Sequence, residues 1–444
     1  MSEPFPQEEL SRVALEAARA AWAGGMTVRR PDGSTVPIPL VAEPEVVPDA
    51  VLQAAAREAR LVLSGAVKLA RALLAEGDAR DREALLGPFE GLEREAMQEL
   101  FAAPCPAVFA RVDWLLPAGG GPPRALELNA TIPAMPGYAD LAAHAWLRAA
   151  ARARGRSPRE AAALVAACGS HMENLRRALV GFYRTRGGAA ARPSIALVAR
   201  PGDAQVGELQ RLAEHFRQMG HRADVLTPAE CVPEAWEVLY RHVWAHNTDP
   251  AAPFARALRE PGRHVLANPV NGLLEAKALF ARLSECAEEP RLARAAGLDA
   301  EERAAAGRLP FTRRLDARLA AQVIAERERW VLKRSWDYGG KSVHLGAETA
   351  PAAWGEVVRA AAEDQRGGGF VAQERIFAAR RPATRIAPGV VARGELYRDL
   401  STYTGLLEDA PGGSVVRAAA SPVVNILGGG GLAPLIPESV YHRL

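Results

Sequence analysis

Between Pro193 and Pro269 short apolar runs alternate with a helix-length spacer, and that alternation restricts the fold more than any other stretch of the chain. SIALVAR at Ser194–Arg200 is followed by a helical pattern over Gln205–Met219, with Gly220 as its stop. The strand RADVLTP comes next, and the texture continues through WEVLYRHVWA to HVLANP. Strand, helix and strand in this order form a βαβ unit, so residues 191–270 are expected to be a small α/β domain.

The flanking regions read differently. Residues 1–105 are expected to be mostly helical: Ala50–Ala75 and Arg82–Phe101 place apolar residues three and four apart, with PDGSTVPIPLVAEPEVVP as a Pro-rich connection between helices. Then PAVFARVDWLL reads as a strand, PAGGGPP as a loop and RALELNA as a second strand, which makes Ala107–Ala130 a hairpin. Helices return from Tyr138 to Thr185 and complete a region 106–190. Residues 271–444 mix strands and helices around two glycine-rich stretches. The class is α/β with α+β character, and 444 residues, 49% of them apolar, are enough for two or three domains with sizeable cores.

Charge and composition exclude several functions. A net charge of +3 is small for this length, and the arginines alternate with Glu and Asp along helical stretches, so no nucleic-acid partner is expected. No apolar run is long enough to span a bilayer, and MSEPFPQEELSRVALEAARAAW is acidic and amphipathic rather than basic and then apolar. The expectation is a cytoplasmic protein with no membrane partner. Cys105, Cys168, Cys231 and Cys286 lie far apart without ligand spacing and read as reduced core residues. His242 and His246 are four apart, but their stretch reads as strand then loop and is not taken as a zinc site.

Of the 55 basic residues only four are lysine, and three of these are Lys277, Lys333 and Lys341. A compact ammonium makes a point contact to a phosphate oxygen that a planar guanidinium cannot reproduce. In WVLKRSWDYGGKSVHLG an apolar run ends in Lys333 and a turn, Tyr338, Gly339, Gly340, Lys341 and Ser342, leads into Val343. Consecutive glycines leave backbone N–H groups open to an anion, which points to a nucleotide site. The same residues also suit a plain β-hairpin with lysines on a solvated edge.

A second constellation sits on the Ala107–Ala130 hairpin. Arg111 and Asp113 are two apart on one strand, as are Glu127 and Asn129 on the other, so pairing would put all four on one face. Two carboxylates and an amide oxygen form a hard shell suited to Mg2+, with the arginine available to a transferring phosphoryl group. A solvated sheet face with a surface Arg–Asp pair is the alternative.

Taken together, Arg111-x-Asp113, Glu127-x-Asn129 followed by Pro133, Lys277 in NGLLEAKALF, Lys333 before DYGGKSV, Gln373-Glu374 in FVAQERI and the tail VVNILGGGG resemble a circularly permuted ATP-grasp protein of the glutathionylspermidine synthetase type. In the permuted order the acidic strands precede the lysines, as here. The resemblance covers Ala107 to Pro434, and it implies a pre-ATP-grasp-like role for the small α/β unit and a nucleotide-binding region in 271–444. Where that family has Glu-x-Asn-Ala-Asp-x-Pro, this chain has Ala130-Thr131-Ile132-Pro133 and lacks the second Asp. No counterpart of the accompanying amidase domain is visible.

The resemblance implies Asp113, Glu127 and Asn129 as Mg2+ ligands, Arg111 over the transferred phosphoryl group, and Lys277 and Lys333 on the phosphates of ATP. The loop Tyr338–Ser342 would close over the β- and γ-phosphates, Gln373 and Glu374 would meet adenine and ribose, and Arg417 and Asn425 would approach from the tail. Asp399 is read as a salt-bridged surface residue. The implied activity joins a small-molecule carboxylate to an amine through an acyl phosphate. An ATP-binding protein without turnover and a structural partner protein are the other readings; a scaffold has no need of acid, amide and arginine beside a lysine-bearing loop, and mere ATP binding has no need of Arg111.

Overall fold

The computed structural model describes residues 5–98, 105–337, 340–407, 412–426 and 428–444. The βαβ stretch forms a parallel sheet in the order Leu266–Ala267, Val238–His242, Ile195–Ala199, Ala223–Leu226. Its two inner strands are buried at every position, as a sheet covered on both faces requires. Helix Val206–Gln218 makes the first crossover, and Gly220 follows it in the left-handed conformation, φ +87°. The third strand stops at His242, short of the expected Ala245, because the chain turns into a 3-10 helix at Ala245–Asn247.

A seven-stranded sheet carries the expected hairpin at its edge. The order is Arg380–Ala387, Leu40–Val41, Gly431–Ala433, Ser414–Ala419, Val390–Thr404, Ala110–Leu115, Arg124–Asn129. The 15-residue strand Val390–Thr404 is its spine: it pairs with Ala110–Leu115 on one side and with Ser414–Ala419 on the other, while its first half pairs with Arg380–Ala387. In the hairpin Asp113 lies opposite Glu127 and Arg111 opposite Asn129, with a bulge between Asp113 and Trp114. A bulge bends and twists its strand, so the polar face ends at Asp113.

The Pro-rich stretch expected as a connection is built into sheets. Thr27–Arg29 and Thr35–Pro37 form a small ribbon, Leu40–Val41 enters the large sheet between Arg380–Ala387 and Gly431–Ala433, and Glu45–Val47 runs parallel to Leu435–Pro437. Strands of two or three residues have no readable alternation; partners more than 330 positions away make strands of Leu40–Val41 and Glu45–Val47. The helical expectation Arg82–Phe101 is also divided, into Ala79–Leu86 and Gly91–Gln98 around Gly87-Pro88, since proline does not continue a helix; residues 99–104 lie outside the described residues.

Helix Asp49–Glu76 buries Ala55, Ala59, Val62, Leu63, Ala66 and Leu73 along one stripe and covers the back of the large sheet. Helix Pro136–Ala153 packs with Gln7–Ala23 in a second core. A four-stranded antiparallel sheet, Thr312–Arg314, Phe370–Glu374, Trp330–Arg334 and Val343–Leu345, has a third core of its own, with Trp330, Leu332 and Phe370 against Val323, Trp354 and Val358 of two helices. All four cysteines are free thiols, three of them buried. Among the described residues no helix is long and apolar enough to cross a membrane.

Leu40 is fully buried where the first and last segments of the chain meet. Leu40→Ala is expected to cost about 2–5 kcal/mol of unfolding free energy in urea titrations, the range for a core leucine; a connection lying on the surface would lose less than about 0.5 kcal/mol.

Candidate functional site

On the polar face of the hairpin Arg111 and Asp113 are buried. Arg111 donates from Nε to Asp113 Oδ1 at 2.7 Å, from Nη2 to Asp113 Oδ2 at 3.0 Å and from Nη1 to the Ala134 carbonyl at 2.8 Å. A second guanidinium reaches the same carboxylate from the far strand: Arg417 Nη2 donates to Asp113 Oδ2 at 2.8 Å, while its Nε donates to Asp399 Oδ2 at 2.9 Å. Asp399 is 3% exposed, which corrects its reading as a surface residue; it sits opposite Arg417 in the register of strand Val390–Thr404. Burial pushes the Asp113 carboxyl up, and Arg111 and Arg417 more than reverse this and hold it at about 2. Burial likewise raises Asp399, with Arg417 pulling the other way.

Two lysines face this group, Lys333 from the small sheet and Lys277 from a helix start. Lys333 is on an interior strand and 8% exposed, so it does not lie on a solvated edge, although its strand and Val343–Leu345 do form a hairpin. Its Nζ donates to the Leu126 carbonyl at 3.4 Å, and burial, with Lys277 adding repulsion, pushes its pKa down to about 8 against the pull of Glu127. Lys277 opens the helix Lys277–Glu285. Ser335, two residues beyond Lys333, anchors that end, accepting at its carbonyl from Lys277 N and at its hydroxyl from Ala278 N. The Lys277 ammonium donates to the Asp337 carbonyl at 2.7 Å and lies 3.8 Å from Glu127 Oε2.

The turn after Glu127-x-Asn129 is held by two side chains. Glu275 accepts from the backbone N–H groups of Ala130 and Thr131, and Asn271 donates to the Ala130 carbonyl at 2.7 Å. In the glycine loop Gly340 has φ +73°, and a Cβ there would come 2.8 Å from Val423 of the C-terminal tail, so the loop can meet the tail only with glycine at this position. Ser342 donates to the Asp337 carboxylate. Tyr338 and Gly339 lie outside the described residues. Gln373 is buried and donates to the Leu126 carbonyl at 3.3 Å and to Thr312 Oγ1 at 3.1 Å, which makes it a strut between sheets.

One cavity of about 340 Å³ collects these groups. Arg111, Asp113, Glu127, Asn129, Lys277, Lys333, Gly340, Lys341, Ser342, Gln373, Glu374, Arg417 and Asn425 all line it. So do Asp337, Asp399 and an apolar group including Val331, Leu345, Ile376 and Phe377, none of which the sequence motifs singled out for the site. Asp337 had a readable signal, its place four residues after Lys333. His242 and His246 stay outside: the first faces Gln205, the second Glu93.

The donor set suits a hard cation. Glu127 and Asn129 are only partly buried, and both line the cavity. Asp113 already accepts three N–H donors, which leaves one lone pair on Oδ1. Among the described residues no three of His, Cys, Asp and Glu gather at metal-ligating distance, so any ion here would draw on the amide and on substrate oxygens.

No protein-family model and no curated protein matches the sequence. A solved structure does: a glutathione synthetase-like effector from Globodera pallida in its apoform, 14% identical, with 98% of each chain covered and a TM-score of 0.64. The likeness shows a shared fold over essentially the whole length.

Lys333 carries a burial cost that gives a measurable signature. Its folded pKa, about 8, lies below the ordinary 10.5, so between these values the unfolded chain binds more protons and stability rises with pH. Below pH 8 the cost is fully present. Lys333→Met is therefore expected to raise the unfolding free energy at pH 7 by about 1–3 kcal/mol and to flatten the rise between pH 8 and 10.5 in denaturant titrations; an unchanged slope would show that the ammonium is hydrated in the folded state.

Proposed function

We propose that this protein is a Mg-ATP-dependent carboxylate–amine ligase of circularly permuted ATP-grasp architecture. The observation that carries the reading is the cavity in which the Glu127-x-Asn129 face of the large sheet meets Lys333 of the small sheet and Lys277 at the start of the helix Lys277–Glu285. Motif order and the fold shared with a glutathione synthetase-like protein support it.

The residues divide the work. Lys277 and Lys333 contact the phosphates of ATP, the backbone around Gly340–Ser342 covers them, and Val331, Leu345 and Ile376 enclose the purine beside Glu374. Glu127 and Asn129, with Asp113 beside them, would hold Mg2+, which when bound would neutralise phosphate charge. The substrate carboxylate attacks that group, ADP leaves, and the acyl phosphate passes its acyl carbon to the amine as inorganic phosphate departs and the amine loses a proton. Positioning and charge do the catalysis, so no side-chain nucleophile is needed. Arg111 uses three of its five N–H groups on Asp113 and Ala134, and Arg417 Nη1 donates to nothing among the described residues; these spare donors meet the charge that grows during phosphoryl transfer.

The experiment is ADP release measured with pools of carboxylic acids and amines, alongside titration of Mg-ATP binding. Because Arg417 still pairs with Asp113, Arg111→Ala is expected to leave Mg-ATP affinity within about threefold while turnover on the productive pair falls about 100- to 1000-fold. Parallel losses would make Arg111 a support for the site, and binding without ADP release in any pool would favour an ATP-binding protein that does not turn over. Lys333→Arg should weaken ATP binding about tenfold or more despite conserving charge, since the wider guanidinium does not fit a site that is 8% exposed; unchanged affinity would remove Lys333 from the nucleotide site.

A further inference from the structure

Glu208 is a buried carboxylate that the phosphoryl-transfer chemistry leaves unused. It sits in the first turn of helix Val206–Gln218, on the small α/β unit, and is 1% exposed. Its two oxygens accept from backbone N–H groups, Oε2 from Met135 at 3.0 Å and Oε1 from Gly137 at 2.8 Å. A Cβ at Gly137 would come 3.3 Å from Glu208 Cγ, so glycine leaves room for this approach. Helix Pro136–Ala153 begins here, and a carboxylate at a helix N-terminus is favourable in itself. This one differs in what lies across the first peptide group that it holds.

A trans peptide is planar, and its N–H and C=O point in opposite directions. The C=O of Ala134 and the N–H of Met135 belong to one such plane. Glu208 holds the N–H end, while Arg111 Nη1 at 2.8 Å and the Tyr403 hydroxyl at 3.0 Å donate to the oxygen. Carboxylate and guanidinium are thus joined through a single peptide group, each polarising the bond that the other makes. Met135 has φ +89°, so the two holds keep the plane where backbone preference would not.

Other titratable groups face Glu208: Tyr138 from the capped helix, Tyr240 from strand Val238–His242, Tyr403 from the spine strand and Arg111 from the hairpin. Burial holds all three phenols far above their ordinary range. Asp203, just before the helix, faces Tyr138 as well, and His242 faces Gln205. Burial pushes the Glu208 carboxyl up to about 7, with the backbone donors and Arg111 pulling it down. It therefore changes charge in the neutral range, and an oxygen that gains a proton gives up the N–H it held.

We propose that Glu208 is a positioning residue for Arg111: by holding the Met135 N–H it aims the Ala134 carbonyl at the guanidinium, so the small α/β unit sets where Arg111 stands in the front site. Loss of the Glu208 charge slackens the carbonyl and with it Arg111. That Arg111 serves phosphoryl transfer rests on the ligase reading; the coupling itself does not.

The test reads the peptide group directly. In the full chain labelled with ¹³C′-alanine and ¹⁵N-methionine only Ala-Met pairs give a carbonyl–amide cross-peak, and the sequence has two, Ala96-Met97 and Ala134-Met135. Met97→Leu identifies the second. Both of its nuclei are expected to titrate with a midpoint near 7, and Glu208→Gln should abolish the titration and shift the Ala134 carbonyl ¹³C. Arg111→Gln removes the positive charge across the peptide, so the midpoint should rise by about 0.5–1 pH unit. A plain helix cap would titrate without that rise; an unchanged midpoint, or a cross-peak indifferent to pH between about 5.5 and 8.5, overturns the proposal. If Arg111→Gln does not fold, the carbonyl decides: a ¹³C shift identical in wild type and Glu208→Gln overturns the coupling, and a changed one supports it. On a carboxylate–amine pair that turns over, Glu208→Gln should lower kcat about tenfold at about pH 8 without loss of Mg-ATP affinity, and make kcat less steep in pH below that. A kcat equal to that of the wild type would sink the link to catalysis. Should no pair turn over, the ligase reading fails, while the titration still decides the coupling.

Discussion

Four paired charges on three strands, three of them buried and Arg417 partly so, hold the front site in shape. Arg111 and Asp113 come from the hairpin, Asp399 from the spine of the large sheet and Arg417 from the next strand, so two cations and two anions balance inside the protein. Such a group is costly to desolvate and is held by its pairing; Asp113 takes donors from both guanidiniums, so it keeps a partner when Arg111 is lost. The group also sets the backbone beyond it. Arg111 Nη1 and the Tyr403 hydroxyl both donate to the Ala134 carbonyl, and the next residue, Met135, takes φ +89° before helix Pro136–Ala153 begins. A methionine in that conformation is strained, and the fixed carbonyl on one side with the Met135 N–H on Glu208 at the other holds it there.

Across the cavity the contacts are fewer. The small sheet closes its own apolar core around Trp330 and Trp354, so its tie to the acidic hairpin is polar: Lys333 and Gln373 share the Leu126 carbonyl, and Lys277 spans from Glu127 to Asp337. Single hydrogen bonds contribute about 1 kcal/mol each, far less than the apolar burial on either side. The wall that carries Lys333 is therefore the less firmly fixed one.

Much of this was legible in the primary structure because it rests on local rules. The βαβ unit follows from spacing and Gly220, and the hairpin from two alternating runs around a Pro/Gly loop. The polar face follows from the period of two, which brought Arg111, Asp113, Glu127 and Asn129 to one side. Lys277 and Lys333 stood out through the scarcity of lysine. What could not be read depends on distant partners. Leu40–Val41 and Glu45–Val47 are strands because residues near 386, 432 and 436 pair with them, and their prolines argued for a loop. Asp399 looked like a surface charge because GELYRDLSTYT does not say which strand will lie on each side of it; only the arrival of Arg417 and the 110–115 strand buries it.

The closure of the large sheet shows where such non-local dependence ends. Leu40 pairs with Leu432, Glu45–Val47 with Leu435–Pro437, and Asp49 accepts from both the backbone and the hydroxyl of Ser439, so the first fifty residues and the last fifteen are joined along a single seam. Each contact closes a loop of nearly 390 residues, and closure entropy grows only logarithmically with loop length, so the seam is affordable in stability while being slow to find. Arg417 lies on the strand beside this seam, one pairing away from Leu432. The charge cluster is thus completed by a strand whose other edge pairs with the seam that joins both ends of the chain, so the shape of the front site depends on that closure.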